Sequence, residues 1–382
     1  MSTKAPVQKR RKRRRKKQFN LFVRGQYFDF PMLFIIIFLV CFGLIMIYSS
    51  SSYRANIDLG DPAYYLKRQM MWAVVGFLAM LIVSVVHYKV YMKFTVFAYI
   101  VSIFLQILVL ILPNSSHGAK RWIDLGFIQF QPSEVSKVAL ILFLAHILTL
   151  TIKQVRTLSG LIKVGAFAIP LFGLVGAENL STALVILGIT MVMLFVASPK
   201  YSPFIVMIGT GVVLGGIVLI AAPYRMERIA IWLDPANHEK GMQTMQALYA
   251  IGSGGFFGKG LGQSMQKMGF IPESHNDMIF SIICEELGLF GAVCIIIMFM
   301  MLLWRIMCIA NNAPDLYSAL ICSGVMAQVG IQVFINIAVV TNTIPPTGIP
   351  LPFISYGGTS LLFLMVEMGM VLGISRHMRV RK

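Results

Sequence analysis

Ten stretches of this chain are long and apolar enough to cross a bilayer: roughly 32–51, 70–87, 94–112, 133–150, 160–177, 181–198, 203–221, 278–303, 317–338 and 358–374. A spanning helix needs about 20 apolar residues. The runs are continuous and do not alternate with period two, which excludes a transmembrane barrel. Composition agrees, with 57% hydrophobic residues, 13% charged residues and a mean hydropathy of +0.78. A soluble domain is about 25% charged. A soluble enzyme, a disordered chain and a secreted disulfide scaffold are thereby excluded. The expected fold class is an all-α polytopic integral membrane protein with about ten transmembrane helices. A large external loop, residues 222–277, lies between helices 7 and 8.

Charge sets the expected orientation. Eleven Lys and Arg fall within residues 1–24, nine of them consecutive from Lys9 to Lys17, with no acid. Residues 1–27 read as a disordered basic tail that stays in the cytoplasm and touches anionic lipid. No folded reader accompanies the run, so nucleic-acid binding is not expected. Ten crossings return residues 377–382 to the same side, which leaves residues 28–376 as the membrane domain. Beyond the tail, the remaining Lys and Arg divide evenly between the two sides. Outer cations held against the usual bias suggest an anionic ligand there. The five cysteines show no metal-ligand spacing and read as buried small hydrophobes.

Polar residues that membrane burial disfavours gather at three outer rims. The first runs from Pro272 to Asp277, with Glu273 and His275 beside Arg225, Arg228, Lys259 and Lys267 of the same loop. Asp277 also lies near the start of a helix, where a carboxylate can cap free amides. The second rim holds Lys120, Arg121 and Trp122, followed by Gln131-Pro132-Ser133-Glu134. Lys137, three residues after Glu134, shares its helix face and can pair with it. The third rim, Pro345 to Ser360, is too proline-rich for regular helix and includes Ser355. Backbone of that kind at membrane depth lines a cavity or lies buried in protein. Glu285 and Glu286 are adjacent inside the eighth apolar run, so at least one needs a partner helix or a proton. The Gly-rich run Gly252–Gly262 lacks the phosphate-cradling spacing and reads as tight turns and close backbone approach.

Four of these segments resemble signatures of the SEDS family (shape, elongation, division and sporulation proteins, the FtsW/RodA type). They are Gly118–Ile123 with Gln131–Lys137, Ala250–Gly255, Pro272–Asp277 running into Glu285–Gly288, and Leu351–Gly358. Gly260–Ser264, Pro223–Arg225 and Tyr65–Gln69 are closer to the division and sporulation branch, while Gly348–Pro352 is closer to the elongation branch. The resemblance implies ten helices in a bacterial cytoplasmic membrane and polymerisation of lipid II on its outer face. It also implies a class B penicillin-binding transpeptidase as partner, within divisome or elongasome membrane assemblies. It places the family's key aspartate on Asp277. One departure is Glu178-Asn179-Leu180-Ser181-Thr182, where the family often has Pro-Asp-Leu-Gly-Thr.

The expected chemistry is inverting glycosyl transfer with Asp277 as base. Lys120, Arg121, Arg225, Arg228, Lys259 and Lys267, or a divalent cation (Mg or Mn), would stabilise the departing pyrophosphate. Trp122, Glu134, Lys137, Glu273, His275 and Ser355 complete the expected substrate contacts. With an unperturbed pKa of about 3.9, the aspartate would act mainly through its position. Two rival readings are a flippase for the same lipid and a non-catalytic scaffold of a division complex. The clustering of polar groups at the rim, away from the midplane, disfavours the flippase. The scaffold has no need of Asp277.

Overall fold

The computed structural model describes residues 27–112, 121–124, 129–207, 209, 223–238 and 241–378, except the side chains of Asp124 and residues 223–225. The basic tail, Lys120, the side chain of Arg225 and most of the seventh expected span lie outside the described residues. The helices are α1 (Phe30–Leu59), α2 (Tyr64–Val85), α3 (Lys89–Ile111), α4 (Pro132–Thr151), α5 (Leu158–Gly165), α6 (Ile169–Glu178), α7 (Leu180–Ala197), α8 (Pro223–Leu233), α9 (Met242–Gly254), α10 (Ile279–Asn311), α11 (Leu316–Val340) and α12 (Gly358–Ser375). A two-stranded antiparallel ribbon pairs β1 (Ile123–Asp124) with β2 (Gln129–Phe130).

Among the described residues, nine spans are long and apolar enough to cross a membrane: α1 to α4, the α5–α6 unit, α7, and α10 to α12. Their outer faces confirm the solvent. Phe97, Phe104 and Ile111 of α3 and Leu78 and Ile82 of α2 are more than half exposed. An apolar surface that continuous belongs against lipid. Helices α11 and α12 form the centre of the bundle, with most of their residues buried. The cysteine reading holds only in part: Cys284 and Cys322 are buried, whereas Cys41 and Cys294 lie exposed on the bundle surface; all five are free thiols.

Local chemistry sets several boundaries. Asp29 caps α1 by accepting from the Met32 amide at 3.0 Å. Asn179 caps α7 by accepting from Ser181 and Thr182. Asn caps about as well as Asp, so the departure at residue 179 preserves the helix start. The span expected as one helix over 160–177 is broken by a 3₁₀ turn, Ala166–Ala168, before Pro170. Proline lacks the amide that a continuous helix would use there.

The most consequential break is in α10. Gly288 adopts φ 67° and interrupts the helix. A continuous helix would bond the carbonyls of Glu285 and Glu286 to the amides of Leu289 and Phe290. Here those carbonyls accept from Lys259 and Gly260 instead, at 3.0 and 2.9 Å, and the amides of Leu289 and Phe290 donate to Gly255 and Phe256. The loop after α9 thus supplies new backbone partners to these four groups at the break. Glycine is required on both sides: a Cβ on Gly258 would lie 2.2 Å from the Glu286 carbonyl oxygen, and one on Gly288 would lie 2.4 Å from the Gly258 nitrogen.

The bundle has two distinct ends. At one, Asp29 meets Arg305 of α10 at 2.6 Å and Ser375 of α12, and Arg376 stacks on Phe28. The first and last described segments therefore leave the bundle together. About 30 Å along α1 from Asp29, the carbonyl of Ser50 accepts from Ser274 at 2.9 Å. That second end carries the rims.

Candidate active site at the rim end of the bundle

The first and third rims form one structure. The carbonyl of His275 accepts from the Tyr356 amide at 2.9 Å. The carbonyl of Asn276 accepts from the Ser355 hydroxyl at 2.7 Å, and that of Asp277 accepts from Asn336 Nδ2 at 2.7 Å. Ser355 Oγ also accepts from the Leu351 amide at 2.8 Å. From α2, Gln69 donates to the Ser355 carbonyl and accepts from the Gly357 amide. The ring of His275 lies 4.3 Å from that of Tyr65 and 5.5 Å from that of Tyr356. Two strained residues flank the assembly, Glu273 at φ 49° and Phe353 at φ 64°. Such backbone is held in place only by its surroundings and gathers at functional sites.

Asp277 sits half-buried on this scaffold, with its carboxylate facing Gly348. A Cβ on that glycine, whose φ is 70°, would lie 3.6 Å from Oδ2. Met278, not Asp277, occupies the N-cap position of α10, and no side chain caps it. Burial pushes the Asp277 carboxyl up to about 6, the nearby Glu273 carboxylate adds to the rise, and the amides of Asp277 and Met278 oppose it. The sequence expectation of an ordinary, weakly basic aspartate is corrected by this burial. His275 moves the other way. Burial lowers it to about 4, which keeps it neutral at pH 7. Glu273 is exposed and bonds to Asn276 at 2.8 Å.

The expected cations divide. Lys259 pairs with Glu285 at 2.7 Å and Lys267 with Glu286 at 2.8 Å. Glu285 also accepts from the Ser264 hydroxyl and the amides of Met265 and Gln266. Glu286 accepts from the hydroxyl of Ser49 on α1 and the amide of Gly262. The partners expected from a facing helix come mainly from a loop. Lys259 and Lys267 fasten that loop to α10, and the structure gives them no contact with Asp277. Arg228 of α8 donates to the Pro346 carbonyl at 3.0 Å, two residues before Gly348. Trp232 and Asn342 exchange hydrogen bonds through their side chains and main-chain carbonyls, which docks α8 on the third rim.

The second rim joins from the side. Arg121 donates to the carbonyl of Glu178 at 3.4 Å, while Trp122 is partly exposed. Glu134 and Lys137 pair at 2.9 Å with both side chains buried. Glu134 faces a cavity of about 20 Å³, room for one water, which is also lined by Gln328, Gln332, Ser355, Tyr356 and Ser360. Glu367 of α12, bonded to Gln328 at 2.8 Å, lies in the same polar interior. The sequence signalled every rim, but not Asn336, which reads as one polar residue in an apolar helix. Among the described residues, no three His, Cys, Asp or Glu side chains gather as a metal cage.

Known proteins are similar to this chain in sequence and fold. A family model described as "Cell cycle protein", for FtsW, RodA and SpoVE, matches residues 30–380. Stage V sporulation protein E of Bacillus subtilis (strain 168) is 38% identical over 359 residues, spanning 92% of this chain and 98% of the relative. A probable peptidoglycan glycosyltransferase FtsW of Geobacter sp. (strain M18) is 37% identical over 368 residues, 93% of this chain and 99% of the relative. A chain from a structure titled "Structural coordination of polymerization and crosslinking by a peptidoglycan synthase complex" superposes with a TM-score of 0.80. That chain is 28% identical, and the match covers 93% of this chain and all of that one. Thermus thermophilus rod shape determining protein RodA superposes with a TM-score of 0.68 at 26% identity, over 94% of this chain and 99% of that one. By sequence over nearly its whole length, and by fold, the chain belongs to the FtsW/RodA/SpoVE family of membrane-embedded cell cycle proteins.

Proposed function

We propose that this protein is an inverting peptidoglycan glycosyltransferase that polymerises lipid II at the outer face of the bacterial cytoplasmic membrane. Its 4-hydroxyl acceptor attacks the anomeric carbon of the lipid-linked donor. The new bond forms from the hydroxyl oxygen as the bond from the anomeric carbon to phosphate breaks. The hydroxyl proton passes to Asp277, and the polyprenyl pyrophosphate leaves with the electron pair. The carrying observation is the Asp277 carboxylate, fixed by its backbone on the rim and raised to about 6 by burial. A general base works best with a pKa near the working pH. Arg228, docked beside Gly348, and Arg121 and Trp122 of the second rim are our assignments for the pyrophosphate and the sugar. Support for a transpeptidase partner comes from the synthase-complex likeness, and support for the division or sporulation branch comes from the two relatives named above.

Purified protein with labelled lipid II and a class B penicillin-binding protein separates the readings: polymer for the transferase, translocation for a flippase, neither for a scaffold. The base reading also fixes a pH dependence. Proton acceptance needs ionised Asp277, so the single-turnover rate is expected to fall as pH drops below about 6, tenfold per unit, and to level off above it. A profile flat between pH 5 and 7 would remove Asp277 from the proton transfer. Sidedness has its own test. Asn237, exposed in the loop after α8, lies on the outer side in this reading. An Asn237→Cys variant is expected to react with a membrane-impermeant maleimide on intact cells, and reaction only after permeabilisation would reverse the orientation.

A further inference from the structure

Three consecutive carbonyls, those of His275, Asn276 and Asp277, are each held by a different donor from outside their own turn. The first two donors, the Tyr356 amide and the Ser355 hydroxyl, come from the third rim. The third is a side chain from the bundle centre, Asn336 of α11, which is 1% exposed. Asn336 Nδ2 carries two hydrogens. One goes to the Asp277 carbonyl at 2.7 Å and the other to the Ile349 carbonyl at 2.8 Å. The first acceptor is the backbone of the proposed base. The second adjoins Gly348, the residue that faces the Asp277 carboxylate. A single amide thereby ties the base to the wall it faces. Its Oδ1 is buried with no partner among the described residues. An unpartnered buried acceptor is costly, so this helix position holds an amide for its two donated hydrogen bonds and not for packing.

We propose that Asn336 is a positioning residue for the transferase reaction, whose amide sets the depth at which Asp277 sits against Gly348. The inference rests on the base reading above. It deepens that reading by assigning the group that keeps the carboxylate half-buried and aimed. Without the amide, the Asp277 turn and the Ile349 segment lose their shared anchor, and the carboxylate relaxes toward water. Glu273, the charged side chain that acts on Asp277, stays unchanged in such a variant, as do the groups around it: His275 on the same turn, which Arg54 of α1 influences and which packs on Tyr65 and Tyr356, and Arg228 of α8 on the Pro346 carbonyl.

The test measures polymerisation of labelled lipid II by full-length Asn336→Ala, Asn336→Ser and Asn336→Asp, each in complex with the partner transpeptidase. Rates are normalised to the monodisperse fraction. Asn336→Ala is expected to lower kcat at least tenfold with little change in KM for lipid II, and to move the acidic limb of the pH profile downward from about 6 toward 4. Asn336→Ser, which keeps one donor, falls between Ala and the native protein. Asn336→Asp puts an acceptor against two carbonyls and is expected to be worse than Ala. If Asn336→Ala does not fold, Asn336→Ser carries the test. A lowered melting temperature with unchanged kcat and an unmoved pH limb would show a merely structural role and overturn the proposal. Asp277→Asn separates the two ideas. If that variant is inactive while Asn336→Ala keeps the native profile, only the positioning proposal falls. If it is active, the base reading and this proposal fall together. Adding Asn336→Ala to Asp277→Asn is expected to cost nothing further, and an additional tenfold loss would contradict action through Asp277.

Discussion

Asp277→Asn is expected to reduce lipid II polymerisation by about 10²–10⁴-fold, the usual worth of a general base, while leaving insertion and partner binding intact. The amide keeps the shape of the carboxylate, and the three carbonyl contacts of the turn are backbone interactions that survive the change. Stability separates this outcome from misfolding. Folding raises the Asp277 pKa from an unfolded value near 3.8 to about 6. The folded state therefore favours the neutral carboxyl, and the stability it gains below pH 4 is lost as pH rises through 6. Asparagine is neutral throughout, so the variant is expected to melt at or above the native temperature at pH 7. An inactive variant with undiminished stability is the pattern of a functional group that folding tolerates at a cost. Near-native polymerisation by Asp277→Asn would leave Glu273 as the carboxylate to test next.

Glu286→Gln is expected to destabilise the protein by about 3–5 kcal/mol, the cost of breaking a buried ion pair from one side. Lys267 keeps 7% of its side chain exposed and would be left with an uncompensated charge. The new amide would also set a donor against the Gly262 amide in one orientation or the Ser264 amide in the other, both of which now donate to the carboxylate. Because this loop closes the break at Gly288, loosening it frays α10 as well. The double variant Lys267→Met, Glu286→Gln removes the stranded charge and is expected to recover much of the loss, since apolar replacements of buried pairs are often neutral. Thermal unfolding of the three proteins in one detergent checks this. Equal melting temperatures for Glu286→Gln and the native protein would mean that the pair does not fasten the loop.

The sequence displayed the membrane class openly because each spanning helix must carry its own apolar run and satisfy its own backbone. The nine described spans fall where the hydropathy places them, with differences at their ends. Helix α1 runs past the apolar run to Leu59 and ends at Gly60, a left-handed C-cap with φ 69°, while Arg54 and Asp58 pair on the exposed extra turn. The rims were legible as well, since polar and proline-rich segments at membrane depth are rare enough to mark themselves. Asp277 stood out for that reason, and so did the pairing of Glu134 with Lys137, whose i, i+3 spacing puts them on one face.

What the linear order could not convey was which polar group meets which. Lys259, Lys267, Glu273 and Ser355 carry the residue types of a substrate site, but hydrogen-bond partners are chosen across gaps of tens to hundreds of residues. Folding commits both lysines to Glu285 and Glu286, and Ser355 to the Asn276 carbonyl. Asn336 shows the opposite case, a residue with no signature that becomes central because two distant carbonyls arrive at its amide. The raised pKa of Asp277 is equally a tertiary property, since burial against the third rim creates it. Composition and periodicity are local quantities and determined that this chain spans a membrane and where its polar rims lie. Burial and partner choice are collective quantities, and only the packed bundle decided which rim side chains are tied to other protein groups and that Asp277 sits half-buried facing Gly348.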